Sequence, residues 1–298
     1  MPRRFSSTQI ARRTRWGSFA PRSCAMVEVR QPPADFLARA ESEPVPHGQV
    51  ALWYTGGAGY IYRTPTTTLQ IDPFCGKSID ANWSRLIAPP FDPARVTRCD
   101  AILSTHEHLD HCDPETLKAM AGVTTCPLIG PASSTDVARE FGWPAARLAP
   151  LAWGERTIVG DVTITAIQSN DPMAKGCNGY VLEAQGLVVV NMGDSLWYND
   201  IGKQLAPWSV DAICVSVAQN PPGETYYMSE VDAARIARDV NARALIPHHW
   251  DLWRWVALDP RRIAAVAPWY APATVVCPAR YCERISLIRA GSDGLAVV

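Results

Sequence analysis

Five of the six histidines fall in two short groups, and the first group restricts the fold more than any other feature. It reads Thr105-His106-Glu107-His108-Leu109-Asp110-His111. An apolar run, Asp100 to Thr105, precedes it. Asp113-Pro114-Glu115 follows, a helix cap with proline at the first helical position. A strand must therefore end, a loop must carry the histidines, and a helix must begin, in immediate succession. His106 and His108, two apart, leave the strand end on the same side, and the turn beyond swings Asp110 and His111 round. Imidazole and carboxylate are the donors that borderline divalent cations accept, so this loop is a candidate metal site.

The rest of the chain is compatible with a two-sheet frame around that loop. Its 298 residues are 47% hydrophobic, enough to bury a sizeable core in one large domain or two small ones. Strands are expected at 50–54, 66–72, 100–105, 126–130, 162–168, 179–183, 187–191, 211–217 and 244–247, all rich in Val, Ile or Thr and bounded by turn residues. The pair 179–191 should turn through Ala184-Gln185-Gly186. Helices are expected after Asp113 and after Ser229, where Asp232 completes a capping box. Val231, Ala234, Ala237 and Val240 share one face of the second. Strands in both halves, each half ending in helices, predict an α/β sandwich with helices outside. Gly56-Gly57-Ala58-Gly59 lies in a hairpin-like turn, so a phosphate-cradling loop is not expected there.

Charge and cysteine content narrow the function classes. A net charge of −1 gives no global case for nucleic acid or membrane surfaces. No apolar run reaches the ~18 residues of a spanning helix. Nine scattered cysteines without a CxxC read as reduced thiols of a cytoplasmic protein. Residues 1–25 stand apart, with six arginines and no acid. They are expected to be a tail, with Met26 as an alternative start and a transit peptide as the other reading. Residues 1–48 as a whole are expected to be disordered or extended, with a short helix and a proline-rich lead-in over 31–48 and a solvated His47. The domain proper is expected over 49–298.

The HxHxDH pattern resembles the metallo-β-lactamase superfamily. Trp53 through Gly59, Ile71-Asp72-Pro73, Gly193-Asp194-Ser195 and Ile246-Pro247-His248-His249 look like that superfamily's remaining landmarks, in order. Within it the chain is similar to the L-ascorbate-6-phosphate lactonase family, through Gly130-Pro131, Asn220-Pro221, Met228-Ser229 and the run from Ile246 to Trp253. The resemblance implies an αββα sandwich, two mixed sheets packed face to face with helices outside. It also implies two divalent cations, Mn²⁺, Zn²⁺ or Fe²⁺, that activate a water for hydrolysis.

Carried over residue by residue, the resemblance places His106, His108 and Asp171 on the first metal. It places Asp110, His111 and His249 on the second, with Asp194 bridging. Asp171 stands where the superfamily usually has histidine, which hardens the site and shifts it toward Mn²⁺ or Fe²⁺ without excluding Zn²⁺. A loop-capping role before Pro172 is the alternative for that residue. Asp110 and His249 are the candidate catalytic residues, Asp110 lying between ligand and proton-shuttle roles. His248, on the opposite side of its strand end, Asn220 and Tyr226 are candidate substrate contacts, with turn chemistry the competing role for Asn220. One of Trp250, Trp253 and Trp255 could wall the pocket.

The expected activity is metal-dependent hydrolysis of a lactone or related ester. A phosphodiesterase of the same fold, an iron-dependent oxidative enzyme and a binding protein that kept the fold are the alternatives. The expected partner is a small molecule, with no nucleic acid or membrane, and a homo-oligomer stays open. Two departures from the lactonase put a phosphorylated sugar in doubt. Only PMAKGCN separates Asp171 from the next strand, with Lys175 its one cation, and Cys75 to Arg98 forms a possible lid with its own sequence.

Overall fold

The computed structural model describes residues 29–79, 83–290 and 294–298. The arginine-rich 1–25 segment and Met26 lie outside the described residues. Six strands open the chain: β1 (Gln49–Gly56), β2 (Gly59–Arg63), β3 (Thr68–Ile71), β4 (Ala101–Leu103), β5 (Leu128–Gly130) and β6 (Leu148–Pro150). The next seven are β7 (Arg156–Val159), β8 (Val162–Gln168), β9 (Asn178–Ala184), β10 (Leu187–Asn191), β11 (Ala212–Ser216), β12 (Ala244–His248) and β13 (Val275–Val276). Finally β14 (Arg284–Ala290) and β15 (Gly294–Val297) return to the first group. Among the described residues the order is β15-β14-β1-β2-β3-β4-β5-β6 in one sheet and β13-β12-β11-β10-β9-β8-β7 in the other. Both sheets are mixed: β3 to β6 and β10 to β13 run parallel, the remainder antiparallel.

The two sheets bury a shared core of Leu52, Tyr60, Leu69, Leu103, Ile164, Leu182, Val189 and Ile246. Helices α2 (Pro114–Val123) and α3 (Ala132–Glu140) cover the first sheet through Leu117, Met120 and Ala138. On the far side α4 (Ile201–Leu205), α5 (Glu230–Asp239) and α6 (Arg261–Tyr270) cover the second through Leu205, Ile236 and Ile263. This four-layer arrangement is the αββα sandwich expected from the sequence.

Local signals in the sequence account for the element ends nearest the site. Asp113 Oδ2 accepts the Thr116 amide at 3.1 Å, and Pro114 opens α2. Ser229 Oγ accepts the Asp232 amide at 3.1 Å and donates to its carboxylate at 2.7 Å, so α5 begins on the expected capping box. Its buried face is Ala233, Ala234, Ile236 and Ala237, one step round from the expected stripe, and Val231 is half-buried. Gln185 and Gly186, both at positive φ, turn β9 into β10.

The segment before β1 is more ordered than its proline content suggests. Helix α1 (Phe36–Ser42) forms here, and Phe36 is buried with Ile87 and Trp53. Residues 29–48 therefore pack on the domain rather than preceding it as disordered or extended chain, because Phe36 and Ala40 have an apolar pocket to fill. His47 is exposed, as expected. Among the described residues no helix is long and apolar enough to cross a membrane.

Candidate metal centre

The site lies at the end of the sandwich where the parallel strands finish. The loop after β4 supplies His106 to His111, the loop after β8 Asp171, the loop after β10 Asp194, and the end of β12 His249. Three short links draw these loops together. Asn178 N donates to Thr105 O at 2.8 Å, tying β9 to the histidine loop. Asn170 N donates to Ser195 Oγ at 2.9 Å, and Leu196 N to Asn170 O at 2.8 Å, tying the Asp171 loop to the Asp194 loop. Gly193, at φ 55°, lies so close to Thr105 that a Cβ there would come within 2.9 Å of its side chain. Glycine at this position is what lets Asp194 reach the histidines.

Two groups of donors result. In the first, Asp171 Oδ2 is 3.2 Å from His106 Nε2 and 3.4 Å from His108 Nδ1. The other oxygen of Asp171 accepts the Met173 amide at 2.9 Å, so this residue both caps its loop and faces the imidazoles. In the second, His249 Nε2 lies 3.2 Å from Asp110 Oδ2, and His111 Nε2 lies 3.8 Å from Asp110 Oδ1. Asp194 Oδ2 sits between the groups, 3.3 Å from His111 Nε2 and 3.4 Å from His249 Nε2, and it also forms a cluster with His106.

The electrostatics follow from burial and neighbours. Burial works against the charged form of His111, yet Asp194, Asp110 and Asp72 outweigh it and raise its pKa well above the ordinary value. His249 is raised in the same way by Asp194 and Asp110. His106, buried and beside His111, is pushed well down. Burial favours neutral Asp110 and Asp194, but the two imidazoles facing them hold both carboxyls below their ordinary range. His111 Nε2 and Asp194 Oδ1 are buried without a hydrogen-bond partner among the described residues. Buried polar atoms are normally satisfied. Orphaned donor atoms that converge with carboxylates and imidazoles fit divalent cations, His106, His108 and Asp171 suiting one and Asp110, His111 and His249 another, with Asp194 shared.

Residues 67–250, more than half of the chain, match the model of the beta-lactamase superfamily domain. The chain belongs to the beta-lactamase superfamily. By family it is a metal-dependent hydrolase, and its sandwich is the metallo-β-lactamase αββα fold. The probable L-ascorbate-6-phosphate lactonase of Escherichia fergusonii is 26% identical to this superfamily member, with 75% of each chain covered. A possible metal-dependent hydrolase from Veillonella parvula superposes with a TM-score of 0.67 at 17% identity, over 80% of this chain and 99% of that one. The diiron β-hydroxylase CmlA from Streptomyces venezuelae superposes with a TM-score of 0.62 at 16% identity, over 83% of this chain and 55% of that one.

Which histidine of the pair faces the donors is decided by backbone geometry in this superfamily member. His249 adopts φ 67°, a left-handed conformation that costs a non-glycine residue about 1–3 kcal/mol. Its amide is held by Gly57 O at 2.7 Å, and Tyr54 Oη, 3.3 Å from the same nitrogen, bonds Gly57 O and Asp251. The glycine turn between β1 and β2 is thus a support for His249. His248 goes the other way, into the interior. Its Nε2 is 3.3 Å from Gly193 O and its Nδ1 3.2 Å from Tyr60 Oη. A carbonyl only accepts, so Nε2 carries the proton, and burial lowers the pKa to about 3. His248 therefore does not contact the pocket, which corrects its assignment as a substrate contact.

Asn220 is corrected likewise. Its Oδ1 accepts the amides of Tyr226 at 2.7 Å and Tyr227 at 3.0 Å, and its Nδ2 donates to Tyr227 O at 2.9 Å. Every polar atom of the side chain is occupied in shaping the turn. Tyr226 does line the pocket beside the donors, together with Tyr227 and Trp253.

Three further side chains complete the centre, and Asp72 among them carried no signal of its own in the sequence. Asp72, fully buried, accepts from Thr105 N at 2.7 Å and Thr105 Oγ1 at 2.6 Å, and its Oδ2 is 2.8 Å from His111 Nδ1. It turns the His111 ring so that Nε2 faces the centre. Trp253 Nε1 donates to Asp110 Oδ2 at 2.8 Å. The Tyr227 ring lies 4.9 Å from the His249 ring. The motif Ile71-Asp72-Pro73 marked the first of these only through the family resemblance.

Proposed function

We propose that this protein hydrolyses a lactone or related carboxylic ester, with two divalent cations held by His106, His108, Asp171, Asp110, His111, His249 and the shared Asp194. The observation that carries the reading is the convergence of these groups at one end of a pocket, with His111 Nε2 and Asp194 Oδ1 buried and without a hydrogen-bond partner among the described residues. Cations bound there would make hydroxide available from water near neutral pH and polarise the oxygen of the scissile carbonyl.

The chain's own residues do the remaining work. Asp110 is the proton carrier, and Trp253 Nε1–H fixes its Oδ2 at 2.8 Å. It takes the proton of the attacking water and returns it to the departing alkoxide, so that one water is consumed and acid and alcohol are released. Tyr226, Tyr227 and Trp253 wall the approach. With a carboxylate at Asp171 instead of a third imidazole, the first group of donors is harder and favours Mn²⁺ or Fe²⁺ over Zn²⁺.

A fold shared with a diiron hydroxylase does not by itself choose hydrolysis. Protein reconstituted separately with Mn²⁺, Fe²⁺ and Zn²⁺ should open lactones from a panel that also contains esters and phosphodiesters. Cleavage confined to the phosphodiesters, or oxygen consumption without hydrolysis, would count decisively against the proposal.

A further inference from the structure

We infer that the substrate is uncharged and carries an apolar ring, such as an aryl-substituted lactone or ester, and that one bearing a phosphate or carboxylate is excluded. The inference rests on the hydrolase reading for its bond type, and on the pocket walls for everything else.

The cavity beside the donors has a volume of about 350 Å³. That is near the lower end of small-molecule sites, which run from about 300 to 1,000 Å³. One side is formed by Ile79, Trp83 and Trp253, the two indoles packed edge to face with centroids 5.9 Å apart. Leu109, Met173, Tyr226 and Tyr227 complete the lining outside the donors. Ile79, Leu109 and Met173 are 52%, 41% and 61% exposed. Three large apolar side chains at one mouth form the kind of exposed patch that marks a ligand surface.

Among the described lining residues none is Lys or Arg, and the charged ones are Asp110, Asp171 and Asp194. Two nearby cations are unavailable. Arg85 is 5% exposed; its guanidinium donates to Gly76 O at 2.7 Å, Ile87 O at 2.9 Å and Ala88 O at 3.3 Å, and it stacks on Phe74. Lys175, the one cation of the short loop after Asp171, is exposed and does not line the cavity.

Away from the donors, a phosphate or carboxylate on the substrate would lose its hydration against apolar walls that hold no Lys or Arg among the described lining residues, with the three aspartates repelling it. An aryl group gains instead, stacking on Trp83, Trp253 or Tyr226.

The test uses matched γ-lactones bearing a phenyl, a p-carboxyphenyl or a phosphomethyl group, with kcat/KM measured on metal-loaded protein. Calorimetric binding of the corresponding non-hydrolysable lactams, to loaded and metal-free protein, runs alongside. The phenyl lactone is expected to be preferred by at least about 100-fold. Met173→Lys, and independently Ile79→Arg, should shrink that preference about tenfold or more by admitting the anions. Equal or better turnover of either anionic lactone overturns the inference and leaves the hydrolase reading intact. If no lactone is opened, the lactone reading fails and calorimetry decides. Binding of the phenyl lactam alone, weakened by Met173→Lys, upholds the inference; binding of the charged lactams, or of none, overturns it.

Discussion

Two buried carboxylates sit at opposite ends of the same parallel strands and differ in how they are satisfied. Asp211 lies before β11, where Arg243 and Arg289 pair with it and Val188 N donates to it at 2.8 Å. Asp194 lies beyond the end of β10, with like-charged Asp110 and Asp171 lining the same pocket and one oxygen without a hydrogen-bond partner among the described residues. Both are almost completely buried. The first end is an arrangement in which folding itself supplies every partner. The second leaves donors pointing at one another, which is costly unless something else completes them. A fold keeps such an end where function demands it.

The strongest way to break this comparison is to remove the donors. His106→Ala combined with His108→Ala should abolish metal binding at the first group and lower kcat/KM by about 10³-fold or more. Elemental analysis after gel filtration reads the first effect, and full occupancy in the double variant would show that the donors are completed by something other than a cation. The same experiment carries a stability readout. A cation at about 100 times its Kd should add about 2.7 kcal/mol for each group it occupies, so the variant should lose the share of the first group and keep that of the second, as measured by thermal melts with and without metal.

The opposite end gives the converse. Asp211→Ala leaves Arg243 and Arg289 without their carboxylate. Breaking a buried pair costs about 3–5 kcal/mol, and less here because both guanidinium side chains reach solvent, at 30% and 31% exposure. A loss of about 2–3 kcal/mol in urea unfolding is expected, with metal content unchanged. If Asp211→Ala also strips metal, the two ends are coupled and their separation into a structural and a functional end is wrong.

Asp72 tests the boundary between the two kinds of carboxylate, since it is fully partnered yet touches a donor. Asp72→Asn keeps its shape and removes its charge. Orienting partners of this type are worth about 10–100-fold in metal affinity. A competitive chelator titration should show a weakening in that range, with the melting temperature of metal-free protein moved far less than by Asp211→Ala.

These contrasts also explain how much could be read from the chain alone. The histidine loop was legible because its donors are contiguous and bounded by a strand and a capped helix, a local pattern. Asp171 and Asp194 come from loops of the second sheet, which reach the histidine loop of the first only when the two sheets pack, and nothing within a few residues of either distinguishes it from a turn aspartate. Their positions followed from family likeness. The walls were legible in part: Tyr226 stood out beside a capped helix, but which tryptophan faces the pocket did not. Trp250, Trp253 and Trp255 lie within a single short run, yet only Trp253 lines the pocket, while Trp255 is 46% exposed. His248 shows the opposite failure, in which a polar side chain next to a donor was read as functional although strand alternation had already turned it toward Gly193 and Tyr60.

Asn220 makes the smallest and most discriminating case, because it stands at the pocket end yet is satisfied like Asp211. Its amide group makes three hydrogen bonds, all to the backbone of Tyr226 and Tyr227. Truncation to Ala should remove about 1–2 kcal/mol of stability. It should also relax the turn that carries both tyrosines, raising KM a few-fold for every substrate alike while kcat holds. Asn220→Asp, which keeps Oδ1 as acceptor for both amides, should recover most of that KM. A substrate contact would behave differently. Its loss would single out substrates with a hydrogen-bonding group, leave unfolding unchanged, and not be rescued by the carboxylate. A selective KM change without a stability change would therefore place Asn220 with Asp194 rather than with Asp211, and full partnering could no longer be taken as the mark of a structural residue in this fold.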